Sequence, residues 1–178
     1  MEQWDLYNIH REKLPHTATR DVEPLKPDEF HLVVNVCIIN SNNEMLIQQR
    51  QSFKKGWANM WDVTSAGSAV FGDTSQQAAS RELFEEVGLQ MDFTNVRPKF
   101  TINFDKGFAD YYLVEADIDI NTCRLQQEEV QAVKWASKET IFQMIEEGTF
   151  IPYYKGLVDL IFESVHHYGS VHHARRAV

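Results

Sequence analysis

Three glutamates in the segment SRELFEEVG, residues 80–88, have a spacing that suggests chemistry. Glu82, Glu85 and Glu86 stand at i, i+3 and i+4, so a helix would place all three carboxylates on one face. Like charges at this spacing destabilise a helix by roughly 0.2–0.5 kcal/mol per pair. A hard divalent cation such as Mg²⁺ prefers carboxylate oxygens and would relieve the repulsion. The three residues therefore indicate either a divalent-metal site or an acidic face in solvent.

The flanking residues predict that this segment is an amphipathic helix. Thr74 with Gln77 forms a capping-box pattern at its start, and Gly88 is suited to close it. The apolar positions expected to face the core are Ala79, Leu83 and Val87, at i, i+4 and i+8. With that stripe buried, the glutamates must face a cleft or solvent.

The whole segment from Gly67 to Leu89, GSAVFGDTSQQAASRELFEEVGL, resembles the Nudix box, G-x5-E-x7-R-E-U-x-E-E-x-G-U, in which U is apolar. The positions in register are Gly67, Arg81, Glu82, Leu83, Glu85, Glu86, Gly88 and Leu89. The one departure is Asp73, which replaces the first Glu of the box. The resemblance extends from the strand at His31 through the helices after Trp135. It implies an α/β fold, the Nudix-type α/β/α sandwich with a mixed β-sheet.

Membership of this family would imply a Mg²⁺- or Mn²⁺-dependent hydrolase acting on a diphosphate linked to another group, often a nucleoside. By the same resemblance, Glu82, Glu85 and Glu86 are the catalytic residues and metal ligands, with one of them relaying a proton to or from the attacking water. Gly67 marks the turn whose nearby backbone carbonyl completes the metal site, and Arg81 orients a carboxylate. The shorter Asp73 leaves the contribution of the first acidic position open.

Residues 45–67, MLIQQRQSFKKGWANMWDVTSAG, are similar to the subgroup of Nudix proteins related to isopentenyl diphosphate isomerase. The isomerases have Cys-Gly-His where this chain has Ala66, Gly67 and Ser68, and they use the Cys and His for proton transfer to carbon and for metal binding. Because Ala66 has no proton to give and Ser68 is a poor metal ligand, a hydrolase is favoured. His31 matches a metal-binding histidine of the isomerases but lacks its partners, which favours a packing role. An isomerase-like enzyme and a non-catalytic Nudix-fold ligand sensor remain the alternatives.

A basic and aromatic stretch before the box, QSFKKGWANMWD, is the candidate for substrate binding. Arg50, Lys54 and Lys55 could grip a diphosphate, and Trp57 could stack on a base. A solvated loop is the alternative for these four residues. Further aromatic candidates, which could equally be core residues, are Trp61, Phe104, Tyr111 and Tyr112. Glu128 and Glu129 precede a predicted strand, at a place where the resemblance implies that some Nudix proteins keep an extra catalytic carboxylate in a loop. The sequence does not identify the group that carries the diphosphate.

Length and composition are those of one folded domain. The 178 residues are 43% hydrophobic and 12% aromatic, enough for a core of ordinary size. No apolar run reaches membrane-spanning length, no apolar signal segment is present, and Cys37 and Cys123 offer no disulfide framework, so we expect a cytoplasmic protein without a membrane partner. The net charge of −9 argues against a nucleic-acid polymer as partner, although an acidic protein can still handle phosphates if it recruits cations. The small-molecule diphosphate partner is what the family resemblance implies.

The predicted elements alternate between strand and helix within a single domain, residues 1–178. Residues 1–30 are expected to form an N-terminal β appendage and its connection, residues 31–168 the core, and residues 169–178 a mobile tail. The core strands are predicted at 31–40, 45–50, 97–105, 108–117 and 128–137, with the first two forming a hairpin around the turn SNNE. Amphipathic helices are predicted at 138–148 and 154–169. The N-terminal segment could pair with its copy in a second subunit, so the sequence leaves open whether the protein is a homodimer.

Overall fold

The computed structural model describes residues 1–171. The strands are β1 (Gln3–Tyr7), β2 (Lys13–Thr19), β3 (His31–Ile39), β4 (Glu44–Arg50), β5 (Trp61–Asp62), β6 (Ser65–Ser68), β7 (Phe100–Phe104), β8 (Gly107–Glu115) and β9 (Val130–Ser137). The helices are α1 (Ser75–Val87), α2 (Lys138–Glu146) and α3 (Lys155–Ser164). Within this part of the chain, no helix has the length and apolar character needed to cross a bilayer. Of the expected mobile tail, residues 172–178 lie outside the described residues.

A seven-stranded mixed sheet forms the centre of the molecule. Its strand order is β5-β4-β3-β8-β7, with β6 also paired to β3 and β9 to β4. The β3–β8 pair is parallel along its whole length, and the other pairs are antiparallel. Strands β1 and β2 pair with each other in a separate two-stranded sheet, which we call the N-terminal hairpin.

Alternation along β3 divides the core into two layers. Val34, Val36 and Ile38 pack in one buried cluster with α1, which contributes Leu83. Cys37 and Ile39 point to the other side, into a cluster that contains residues of α2 and α3. Because successive side chains of a strand point to opposite faces, each face of the sheet receives its own helical layer. The arrangement confirms the predicted α/β/α sandwich.

Helix α1 begins and ends as the sequence predicts. The side chain of Thr74 accepts a hydrogen bond from the backbone N–H of Gln77, and the Gln77 side chain accepts one from the backbone of Thr74. Gly88 adopts a left-handed conformation with φ of 73° at the other end. The predicted stripe of Ala79, Leu83 and Val87 is buried. Burial of this stripe fixes the orientation of the helix about its axis, and its glutamates lie beside the stripe.

The predicted hairpin of β3 and β4 is present, since the two strands pair antiparallel across the turn, but the strands separate early and leave a wedge between them. The turn is present, but Ile39 and Met45 are the one pair in register before the strands separate. The hydroxyl of Thr64 lies between them, accepting from the N–H of Ile38 (2.9 Å) and donating to the carbonyl of Leu46 (2.5 Å). Beyond this point β3 pairs with β6 and β4 pairs with β5, while β9 pairs with β4 from Glu44 to Arg50. A side chain from a later segment thus opens the sheet beside α1.

Candidate active site

Glu86 projects from α1 into the wedge between β4 and β6. Its Oε2 accepts hydrogen bonds from Gln48 Nε2 on β4 (2.9 Å) and from the backbone N–H of Ala66 on β6 (3.0 Å). The residue is 4% exposed. Burial and, after it, the charge of Glu82 raise the pKa of Glu86 to about 8, against the opposing effects of the Ser65 hydroxyl, the Ala66 N–H and the Gln48 amide. Glu86 is thus a buried acid whose hydrogen-bond partners are neutral.

Glu82, one turn earlier on α1, lies against the backbone of Gly67. A Cβ atom at Gly67 would fall 2.1–2.4 Å from the Cδ and two oxygens of the Glu82 carboxylate, so only glycine leaves room for it. Burial raises the pKa of Glu82, and the charge of Arg81 counteracts that effect. Since Glu82 also raises the pKa of Glu86, the two carboxylates are electrostatically coupled.

Arg81 connects α1 to the loop that precedes it. Its Nη1 donates to Glu82 (2.8 Å) and to Glu85 (3.1 Å), and its Nη2 donates to the carbonyl of Ser68 (3.0 Å). The Oδ2 of Asp73 accepts from both Nε (3.1 Å) and Nη2 (2.9 Å). Burial opposes the charge of Arg81, yet these carboxylates hold its pKa above the ordinary value. Asp73, the departure from the box, therefore serves in this structure as an anchor for Arg81.

Carboxylate oxygens such as those of the three glutamates suit a hard divalent cation. In this structure they do not converge on one point as a complete set of metal ligands would. Within residues 1–171, no three His, Cys, Asp or Glu side chains are grouped so that they could hold a metal ion. Arg81 takes oxygens of Glu82 and Glu85, and the Glu85 side chain is about half exposed. The buried Glu86, the adjacent Glu82 and the space that Gly67 leaves for a carboxylate are nevertheless features that a cation bound by oxygens would use.

Arg50 and Trp57, two of the four predicted substrate-binding residues, lie at opposite ends of one loop. The Nε of Arg50 donates to the carbonyl of Gly56 (3.2 Å), which holds the loop on the end of β4. Trp57 is 53% exposed and has a left-handed backbone with φ of 53°. Within the described chain, no hydrogen bond or ion pair joins Arg50 or Trp57 to the three glutamates.

Lys54 and Lys55, the other two, each form an ion pair. Lys54 pairs with Glu129 at 2.5 Å, so the candidate phosphate-binding lysine and the candidate extra carboxylate neutralise one another. Lys55 is paired with Asp21 at 3.1 Å, but its side chain is 85% exposed. An exposed pair of this kind contributes little to stability and can exchange partners. The loop therefore carries two lysine side chains, but in the part of the chain that the structure describes neither forms an ion pair with the three glutamates.

The predicted aromatic candidates separate into buried and partly exposed residues. Tyr111 and Tyr112 are buried, so they are excluded as surfaces for stacking on a base. His31 stacks on Trp4 with ring centroids 4.3 Å apart, and Phe104 meets its edge at 5.5 Å. Burial lowers the pKa of His31 to about 4, so the ring is neutral near pH 7. The packing role predicted for His31 is confirmed.

Gln48 is a residue of this site that the sequence analysis did not identify. It is buried on the α1 face of β4, two positions after Leu46, where the alternation would call for an apolar side chain. Its amide donates to Glu86. A polar residue at an inward position of the strand MLIQQR was the available signal, but its partner is 38 positions away in the sequence.

Comparison with known proteins gives the family. The NUDIX domain family matches residues 29–154. A Listeria innocua protein named as an uncharacterized Nudix hydrolase is 47% identical over 154 residues, which are 86% of this chain and 90% of that protein. An isopentenyl-diphosphate Delta-isomerase of Pectobacterium atrosepticum is 30% identical over 121 residues, which cover 65% of this chain and 66% of that enzyme.

Solved structures show the same fold. A Deinococcus radiodurans protein superposes with a TM-score of 0.72 at 23% identity, covering 91% of this chain and 98% of that chain. The MutT protein from Methanosarcina mazei gives a TM-score of 0.62 at 23% identity, covering 79% and 96%. These structures establish the fold, and the matched domain together with the Listeria relative establishes the family. The chain belongs to the Nudix hydrolase family.

Proposed function

We propose that this protein is a Mg²⁺- or Mn²⁺-dependent hydrolase that cleaves the diphosphate linkage of a nucleoside diphosphate derivative or a related organic diphosphate. The observation that carries the proposal is the environment of Glu86. A charged carboxylate that is almost fully buried among neutral donors, beside a second carboxylate, is unfavourable for folding unless a proton or a cation neutralises it. Family membership and the presence of Glu82, Glu85 and Glu86 at their positions in the box support the same conclusion.

The chain's own residues divide the work. Glu82, Glu85 and Glu86 would hold the cation, together with a backbone carbonyl beside Gly67. When bound, the cation would neutralise the diphosphate, polarise the P–O bond and lower the pKa of the attacking water. Arg81 orients Glu82 and Glu85. One of the three glutamates accepts the proton of the attacking water.

Substrate contacts are proposed for the loop that follows β4. Arg50, Lys54, Lys55 and Trp57 lie on or beside it, and a basic segment near an acidic metal site complements a phosphate chain. For Lys54, phosphate oxygens would replace the carboxylate of Glu129 as the partner. The lysines would then add affinity, while the glutamates carry the chemistry.

Isomerisation of a prenyl diphosphate is the second candidate, because isopentenyl-diphosphate isomerases are among the relatives. The residues beside Glu86 argue against it. Ala66 supplies only its backbone N–H, and its methyl side chain has no proton to transfer to carbon. Ser68 contributes its carbonyl oxygen to Arg81. A non-catalytic sensor is disfavoured because the box is nearly intact, with Glu82, Glu85 and Glu86 present and only the first Glu replaced, by Asp73.

A panel of organic diphosphates tests the proposal. Nucleotide sugars, dinucleotides, coenzyme A and nucleoside diphosphates would be incubated with Mg²⁺ or Mn²⁺ and assayed for phosphate or nucleoside monophosphate. We expect cleavage of at least one class, and none with a chelator. Isopentenyl diphosphate in the same buffer should give no dimethylallyl isomer by NMR. Appearance of that isomer without hydrolysis of any diphosphate would establish the isomerase instead.

A further inference from the structure

The N-terminal hairpin lies outside the matched Nudix domain, residues 29–154, but it bonds to the loop that precedes α1. The carbonyl of Gln3 accepts from the N–H of Phe71 at 2.7 Å. The Oδ2 of Asp5 accepts from the N–H of Gly72 at 2.8 Å. We call residues 70–73 the loop arc. Two consecutive amides of the arc thus depend on acceptors from β1.

The arc has few other supports. Its ends are joined to each other, since Val70 donates to Asp73 Oδ2 (3.2 Å) and the N–H of Asp73 donates to the carbonyl of Val70 (3.0 Å). Between them, the Phe71 side chain is exposed. Gly72 has φ of 90° and open space around the position that a Cβ would take. The two bonds to β1 are therefore the external restraints on the middle of the arc.

The hairpin is well enough anchored to act as a support. Arg11 forms an ion pair with the buried Asp110 of β8, and Ser75 at the start of α1 donates to the same carboxylate at 2.6 Å. Tyr7 and Phe30 exchange backbone hydrogen bonds of 2.8 and 3.0 Å. Asp5 itself is 4% exposed, as expected for a residue with a structural partner. The hairpin is thus fixed to the core at points separate from the arc.

The position of the arc determines the position of Arg81. The arc runs between Ser68, whose carbonyl accepts from Arg81, and Asp73, whose carboxylate accepts from it twice. Arg81 in turn holds Glu82 and Glu85. A shift of the arc would therefore be transmitted through one guanidinium to two of the three proposed metal ligands.

We propose that Asp5 is a positioning residue of the active site, and that the N-terminal hairpin is a working part of it. By accepting from Gly72, Asp5 fixes the loop arc, and the arc fixes Arg81 and the carboxylates that it orients. The consequence for metal affinity rests on the proposed function, whereas the restraint on the arc does not.

Hydrogen exchange without metal tests the restraint directly. In Asp5→Ala, the amides of Phe71 and Gly72 should exchange about tenfold faster, while those of β3 and β8 stay unchanged. Lys13→Ala is the matched control, since Lys13 pairs with Asp5 at 2.6 Å but forms no hydrogen bond or ion pair with the arc among the described residues. Asp5→Asn keeps an acceptor oxygen and should restore slow exchange. Unchanged exchange in Asp5→Ala, or equal acceleration in Lys13→Ala, would overturn the proposal.

Calorimetry with Mn²⁺ then tests the consequence for the site. Asp5→Ala should weaken Mn²⁺ binding by about tenfold, and Lys13→Ala and Asp5→Asn should bind as the parent does. A purely structural role would lower the melting temperature without this selective loss, and that result would contradict the positioning role. If the parent protein binds no Mn²⁺, the proposed function fails, and the exchange experiment still decides whether Asp5 restrains the arc.

Discussion

Glu86, a proposed metal ligand, also affects the stability of the fold because its carboxylate is buried. Its carboxylate is buried, coupled to Glu82 and bonded to the neutral groups of Gln48 and Ala66. The pKa of about 8 lies above the ordinary value of 4.5, so between these pH values the folded protein retains a proton that the unfolded chain has lost. The stability that protonated Glu86 contributes to the folded protein is therefore present at low pH and is lost as the pH rises toward 8.

Replacing Glu86 by Gln should stabilise the protein while abolishing its function. Glutamine keeps an acceptor oxygen for Gln48 and Ala66 but carries no charge. With a chelator present, we expect the free energy of unfolding at pH 8 to rise by about 1–3 kcal/mol, with a smaller rise at pH 5. Urea denaturation at the two pH values measures the difference. A variant less stable than the parent at pH 8 would show that the buried charge is not a burden.

Gly67 can be tested through the space that it leaves. In Gly67→Ala, the new methyl group would collide with the Glu82 carboxylate, which is the mobile end of a side chain, so the fold should survive while Glu82 moves. We expect kcat to fall by about 10–100-fold with little change in melting temperature. Gly156→Ala is the control, because its Cβ would meet nothing within 4 Å. Equal activity of both variants would remove Gly67 from the site.

At the scale of elements, we expect the loop after β4 to contribute to substrate affinity and not to the chemical step. Replacing Lys54 and Lys55 by Ala should raise KM about tenfold and change kcat less, because contacts made equally in the ground and transition states give uniform binding. Lys26→Ala is a control, since Lys26 pairs with Glu29. Steady-state kinetics on any substrate from the diphosphate panel provides the measurement. An unchanged KM in the double variant would show that the two lysines do not bind substrate and that the loop is merely solvated.

Local signals predicted some elements well and others poorly. The caps and the stripe of α1 depend on residues within one helix, and both are present as predicted. The hairpin of β3 and β4 is present as predicted, but its short register was not predictable, because Thr64, from a later segment, bonds to both strands. The same limit applies to Gln48, whose role depends on a partner that only the tertiary fold supplies. Box residues were predictable because their spacing is local.

At the scale of the whole molecule, the net charge is consistent with the proposed requirement for a cation. The protein carries a net charge of −9 and its proposed substrate is also anionic, so the long-range field opposes binding. The cations of the loop are paired with Glu129 and Asp21. A divalent ion between the glutamates and the diphosphate would offset both repulsions at the point of contact.

The central claim is that the glutamates of α1 bind a divalent cation, and Mn²⁺ calorimetry tests it most directly. The parent protein should bind Mn²⁺, and Glu86→Gln should bind it at least about tenfold more weakly. Glu139→Gln, an exposed site on α2, makes the same change in net charge and should bind as the parent does. Binding by Glu86→Gln equal to that of the parent, or no binding by the parent, would contradict the account.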